Sequence, residues 1–197
     1  MEKKVVFPCG GIELEGLLNQ NSSTRGVVIT HPHPLYGGNM YNPVVEAISE
    51  KYHENGLTTL RFNFRGCGES QGVHDNGPGE QKDLAAAVNF LDALGLKKID
   101  LAGYSFGAWI IALAVSRGVP ADNLILISPP AAFIDFKDII NLSQLSLVIT
   151  GDLDELAPVA LLKKMVPKWN IDARLEIIKN ADHFFSGYLN KLQKLLE

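Results

Sequence analysis

The stretch Ile99-Asp100-Leu101-Ala102-Gly103-Tyr104-Ser105-Phe106-Gly107-Ala108-Trp109 constrains this chain more than any other. A short apolar strand runs directly into Gly103-Tyr104-Ser105-Phe106-Gly107, and a helix-forming run over residues 108–115 follows at once. A strand that becomes a helix within so few residues forces Ser105 into a strained backbone conformation. Gly103 and Gly107 flank it because a Cβ there would collide where strand and helix approach. The serine oxygen then stands clear at the end of a sheet. Free N–H groups at the helix start, and the positive end of its dipole, face any charge formed nearby. That geometry makes Ser105 a candidate nucleophile.

The rest of the chain alternates strand and helix. Residues 3–8 and 12–18 flank Gly10-Gly11 with period-2 alternation and predict an antiparallel hairpin. Residues 19–24 read as a polar turn. The β-branched run over residues 26–30 suits a strand buried on both faces. Val44, Ile48 and Tyr52 recur at helical spacing, and Gly56 ends that helix. Further strands are expected over residues 58–64, 123–128, 145–150 and 174–178. Helices are expected over 81–94, from Pro158 to about residue 166, and over 184–196. Strands joined by helices through short connections predict a mainly parallel sheet covered on both faces. The 197 residues, 46% of them hydrophobic, fit one domain over residues 1–197. Functional sites in such sheets lie at the C-terminal ends of the strands. The loops at His31, Arg65, Ser105, Asp154 and His183 all fall there.

A serine hydroxyl is a poor nucleophile unless a base accepts its proton and a third group orients that base. His183, in Asn180-Ala181-Asp182-His183 after the last strand, is the candidate base. Asp154, in Gly151-Asp152-Leu153-Asp154, is the candidate orienter because it lies further out along its loop than Asp152. Asp152 is the competitor, with a turn-forming role beside Gly151 as its simpler reading. Asp135 is a third, weaker option. An acyl-transfer site also needs donors for an oxyanion. The Phe106 amide supplies one. The second is expected from His31-Pro32-His33-Pro34-Leu35-Tyr36-Gly37-Gly38, where the prolines have no N–H. Leu35 is the choice, with His33 and Tyr36 as alternatives.

Other chemistry is disfavoured. A proline follows each of His31 and His33, and no third ligand stands at metal spacing, so no metal is expected. Gly66-Cys67-Gly68-Glu69-Ser70-Gln71-Gly72 lacks the spacing of a dinucleotide fingerprint, and no Walker lysine follows it. Arg65 reads as a structural tie for that loop. With a net charge of −4 and no basic patch, nucleic acid is not an expected partner. No apolar run reaches the ~18 residues of a membrane span, and no signal-type apolar stretch follows the N-terminus. Cys9 and Cys67 are the only cysteines and read as free thiols in a reducing compartment, which fits a cytoplasmic protein.

The motifs His31-Pro32-His33-Pro34, Asn63-Phe64-Arg65-Gly66, Gly103-Tyr104-Ser105-Phe106-Gly107, Gly151-Asp152-Leu153-Asp154 and Asp182-His183 occur in one order. In that order the chain resembles the α/β-hydrolase superfamily along nearly its whole length. It is similar to a small, lidless bacterial branch near the dienelactone-hydrolase-like proteins. The resemblance implies a mostly parallel twisted sheet, a Ser-His-Asp triad and no cofactor. Dienelactone hydrolases proper carry a cysteine nucleophile where this chain has Ser105, so their substrate does not transfer. Residues 129–144 occupy the place of a lid, and about 16 residues are too few for a cap domain. The expected partner is therefore a small or water-soluble ester. Leu35, Tyr36, Trp109, Ala131, Phe133 and Ile134 are candidates to line an acyl pocket, with plain core as the simpler reading for Trp109. Thioesters stay within the expected chemistry. Peptide or amide cleavage, and ligand binding without turnover on the same fold, are the alternatives. The choice between a monomer and a homodimer stays open.

Overall fold

Strand β3 (Arg25–Thr30) shows how the layers arise. Val27 and Ile29 point into one apolar core and Val28 into another, because successive side chains on a strand face opposite sides. The same alternation continues in β5 (Lys98–Tyr104), where Ala102 and Tyr104 face the core of Val27 and Ile29, and Leu101 faces the core of Val28. A sheet apolar on both faces needs helices on both.

In this computed structural model, residues 1–21 and 24–196 are described, so part of the polar turn expected over 19–24 lies outside them. The sheet has eight strands in the order β1-β2-β4-β3-β5-β6-β7-β8, the others being β1 (Lys3–Cys9), β2 (Ile12–Asn19), β4 (Thr58–Phe62), β6 (Asn123–Ile127), β7 (Leu145–Gly151) and β8 (Arg174–Ile178). β1 and β2 form the hairpin, with Cys9 opposite Ile12, and β2 runs antiparallel to β4. Every other neighbouring pair is parallel. Helices α2 (Pro78–Ala93), α3 (Phe106–Ser116) and α4 (Val159–Trp169) cover one face, and α1 (Pro43–Glu54) and α5 (Leu189–Leu195) the other. This is the α/β-hydrolase fold.

Several helix ends depart from the sequence expectation. α2 begins at Pro78, not residue 81, because Glu80 reaches back to accept the Gly77 N–H at 2.7 Å and the Asp75 N–H at 2.8 Å. α4 passes through Pro167 to Trp169. Leu162, Val166 and Trp169 form one buried stripe, and Pro167 sits on the solvent side. α5 begins only at Leu189, because Phe185 takes a positive φ of 53° in a turn that buries its ring. β4 stops at Phe62, two residues short of the expected end. Asn63, just past it, donates to Glu15 at 2.7 Å and accepts the Met40 N–H at 2.8 Å.

Arg65 is a tie, as expected. It makes a two-point bond to the fully buried Asp83, with Nη2–Oδ1 at 2.7 Å and Nε–Oδ2 at 3.1 Å. The connection between β6 and β7 forms no helix or strand, so no cap rises from it over the sheet. Cys9 and Cys67 are both free. Among the described residues no helix is long and apolar enough to cross a membrane.

Candidate active site

Ser105 ends β5 and opens α3 with φ 55° and ψ −119°, a conformation that L residues rarely adopt. The two glycines permit the turn. A Cβ on Gly103 would lie 2.7 Å from the Ala108 nitrogen, and one on Gly107 would lie 2.5 Å from Thr30 Oγ1 and 2.7 Å from the Thr30 carbonyl. The Ser105 N–H donates to the Ile127 carbonyl at 2.9 Å, which ties the turn to the neighbouring strand.

His183 comes from the loop after β8. Its Nε2 lies 2.9 Å from Ser105 Oγ, and its Nδ1 lies 2.9 Å from each carboxylate oxygen of Asp154. All three side chains are buried. Asp154 Oδ1 also accepts the N–H groups of Leu156 at 3.0 Å and Ala157 at 2.8 Å, so the same carboxylate closes the loop before α4 and meets His183. Burial alone pushes the Asp154 carboxyl upward. The bond to His183, the charge of that ring and the Ala157 N–H outweigh it and hold the group below its ordinary value. The competitors lie elsewhere. Asp152 is exposed and accepts the Asn180 N–H at 2.6 Å, and Asp135 pairs with Lys137 at 3.0 Å on the surface.

Sequence reasoning missed one residue that positions this group. The Tyr104 hydroxyl donates to the His183 carbonyl at 2.9 Å, so the residue before the serine also anchors the loop that carries the histidine. Burial pushes the Tyr104 phenol up, which keeps it a donor. Only the approach of the end of β5 to the distant His183 loop reveals this bond, and nothing in the local sequence signals it.

The loop after β3 departs from expectation in one respect. The Leu35 N–H donates to His33 Nδ1 at 3.2 Å, and the Tyr36 N–H donates to the His33 carbonyl at 3.1 Å. Leu35 is 69% exposed and does not line the cleft. The Leu35 amide is therefore engaged inside its own turn. The alternative, His33, lines the cleft with its ring 4.7 Å from that of Phe106. Among the described residues, neither the His33 N–H nor the Phe106 N–H has an acceptor. His31 is structural. Its Nε2 accepts the Phe64 N–H at 3.0 Å, which leaves the proton on Nδ1, 2.6 Å from the Pro32 carbonyl.

The cleft beside Ser105 has a volume of about 430 Å³. Tyr36, Phe133 and Ile134 line it, as expected, joined by Phe184 and Leu156. Trp109 and Ala131 pack against the core instead, and the Trp109 indole N–H bonds to the Asp135 carbonyl at 3.2 Å. A larger hollow of about 720 Å³ lies between the hairpin and α2. The one thiol there is Cys9, which burial and the neighbouring Asp83 push up to about 11, so it stays protonated near neutral pH.

Comparison with known proteins places the fold. The family model described as the alpha/beta hydrolase fold matches residues 27–147. An uncharacterized protein, RP471, of Rickettsia prowazekii (strain Madrid E) is 38% identical over 179 residues, covering 86% of this chain and 75% of that protein. An alpha-beta serine hydrolase homologue from Coxiella burnetii is 35% identical with a TM-score of 0.90, covering 98% of this chain and 95% of that one. XC6422 from Xanthomonas campestris, described as a serine hydrolase without lid, is 31% identical with a TM-score of 0.91, covering 99% of this chain and 91% of that one.

Proposed function

This chain belongs to the alpha/beta hydrolase fold family, and we propose that within it the protein is a serine hydrolase that cleaves small carboxylic esters, thioesters included. The observation that supports this most is the continuous line of contacts from the Asp154 carboxylate through the His183 ring to the Ser105 hydroxyl. Ser105 is the nucleophile, His183 the general base and Asp154 the group that fixes the tautomer of His183.

In the proposed reaction the Ser105 oxygen attacks the ester carbonyl as its proton passes to His183 Nε2. Asp154, ionised, stabilises the imidazolium that forms. The carbonyl oxygen becomes an oxyanion, held by the Phe106 and His33 N–H groups, neither of which has another acceptor among the described residues. His183 then protonates the leaving oxygen, and the acyl group stays on Ser105. Water, deprotonated by His183, releases the acid and restores the serine. The uncapped cleft suits a soluble ester rather than bulk lipid.

A fluorophosphonate probe tests this directly. The expected result is one covalent adduct on Ser105 and none in Ser105→Ala, together with loss of p-nitrophenyl acetate hydrolysis in that variant. A wild-type protein that binds ligands but never reacts with the probe would be a binding protein on the same fold, and the hydrolase reading would fall.

A further inference from the structure

None of the side chains lining the cleft belongs to Lys, Arg, Asp or Glu. A carboxylate, phosphate or ammonium group on a substrate would lose its water there and find no counter-charge. The substrate is therefore uncharged near the reacting carbonyl. The lining is aromatic at its mouth. Tyr36 is 74% exposed, Phe133 58% and Phe184 67%. Single exposed rings are ordinary, but these three reach one opening from three separate loops, after β3, β6 and β8.

Their arrangement is specific. The Tyr36 and Phe133 rings meet edge to face, with centroids 6.2 Å apart and planes at 67°. Phe184 stands against His183 at 5.7 Å and 87°. His183 must protonate the leaving oxygen, so the leaving group lies on the side of His183 and Phe184. The other substituent of the carbonyl then runs toward Tyr36, Phe133 and Ile134.

We propose that the Tyr36–Phe133 wall is an aromatic acyl subsite, so that the enzyme selects uncharged esters whose acyl group ends in a planar ring. This rests on the serine hydrolase reading above. An aliphatic chain would gain only buried area from this wall. A ring presents a negative face and a positive edge, and two rings already set edge to face offer both partners to a third. The quadrupole contribution is worth roughly 2- to 10-fold in binding beyond area.

The test compares two methyl esters with the same carbon skeleton, methyl hydrocinnamate and the saturated methyl cyclohexanepropanoate, with methyl acetate as a reference too short to reach the wall. In the wild type kcat/KM should favour the phenyl ester by about 5-fold. In Phe133→Leu and in Tyr36→Leu, which keep an apolar side chain but remove a ring, the ratio should fall toward parity. Equal kcat/KM in the wild type, or a preference that survives both substitutions, overturns the subsite. Methyl acetate turnover without a ring preference sinks this inference alone. Absence of all turnover and of probe labelling sinks the hydrolase reading and this one with it.

Discussion

Ser105 Oγ and His183 Nε2 lie 2.9 Å apart although 78 residues separate them in sequence. Two strands, β6 and β7, stand between the strands that carry them. The His183 loop folds back across that gap, and the Tyr104 hydroxyl holds its backbone at 2.9 Å. The contact is therefore braced at the histidine end by the Tyr104 hydroxyl and at the serine end by the Ser105 N–H, which donates to the Ile127 carbonyl at 2.9 Å.

The contact depends on the tautomer of His183. Asp154, held ionised by its depressed carboxyl value, accepts from Nδ1 and leaves Nε2 to face the serine. Asp154→Asn keeps the shape but can offer its NH2 group to Nδ1, which would move the ring proton onto Nε2. Steady-state hydrolysis of p-nitrophenyl acetate should then fall by about 10³- to 10⁴-fold in kcat, with little change in KM. A loss within tenfold would remove Asp154 from the mechanism.

The assignment of the second oxyanion donor is open to a single-atom test. Replacing the backbone amide of residue 33 with an ester, by incorporating the α-hydroxy analogue, removes the N–H and weakens the Pro32 carbonyl as the acceptor of His31 Nδ1. That change should lower kcat by about 10²- to 10³-fold. The same replacement at residue 35 breaks the 3.2 Å bond from Leu35 to His33 Nδ1, weakens the Pro34 carbonyl that accepts the Gly37 N–H, and should leave most of the activity. The reverse ranking would restore Leu35 as the donor.

These two cases mark where the sequence was legible and where it was not. The β-branched run of β3 and the glycine-flanked serine are local signals, because strand pleat and turn sterics act over a few residues. The order Ser105, Asp154, His183 singled out three side chains that do come together. His33 against Leu35 was not decidable from residue types. It turns on whether an imidazole folds back onto an amide two residues later, a bond set by loop conformation. Pro167 inside α4 and Pro78 at the start of α2 were misjudged for another reason. Buried Trp169 outweighed the helix-breaking tendency of Pro167, whereas Pro78 stands at the first helical position, where proline is favoured and Glu80 closes the turn.

The backbone of Ser105 carries its own cost. At an unstrained position glycine is less stable than alanine by about 0.5–1 kcal/mol, because it loses more freedom on folding. At φ 55° and ψ −119° the order should invert, since only glycine adopts that region freely. Ser105→Gly should therefore be more stable than Ser105→Ala by about 1 kcal/mol in urea unfolding, with both inactive. If Ser105→Ala is the more stable, the turn is not strained at this residue.

His31 sets how the fold responds to acid. It is fully buried, and Nε2 can accept the Phe64 N–H only while unprotonated. Burial, the largest influence, pulls its pKa from 6.5 down to about 4, against the opposing effect of the Pro32 carbonyl. In the unfolded chain the same ring titrates near its ordinary value of about 6.5. Between those two values the unfolded chain binds a proton that the folded one refuses. The stability from this residue is therefore complete above about pH 6.5 and is lost as pH falls toward 4, at about 1.4 kcal/mol per pH unit. Below that, both states are protonated and the loss stops. Urea unfolding of the wild type and of His31→Gln, whose amide oxygen can still accept from Phe64, isolates the effect. The wild-type slope between about pH 6 and pH 4.5 should exceed that of the variant by about one proton. Parallel slopes would mean that the folded protein takes up a proton on His31 after all. His31 shares its loop with His33, so acid should loosen the fold at the segment that supplies the proposed oxyanion donor.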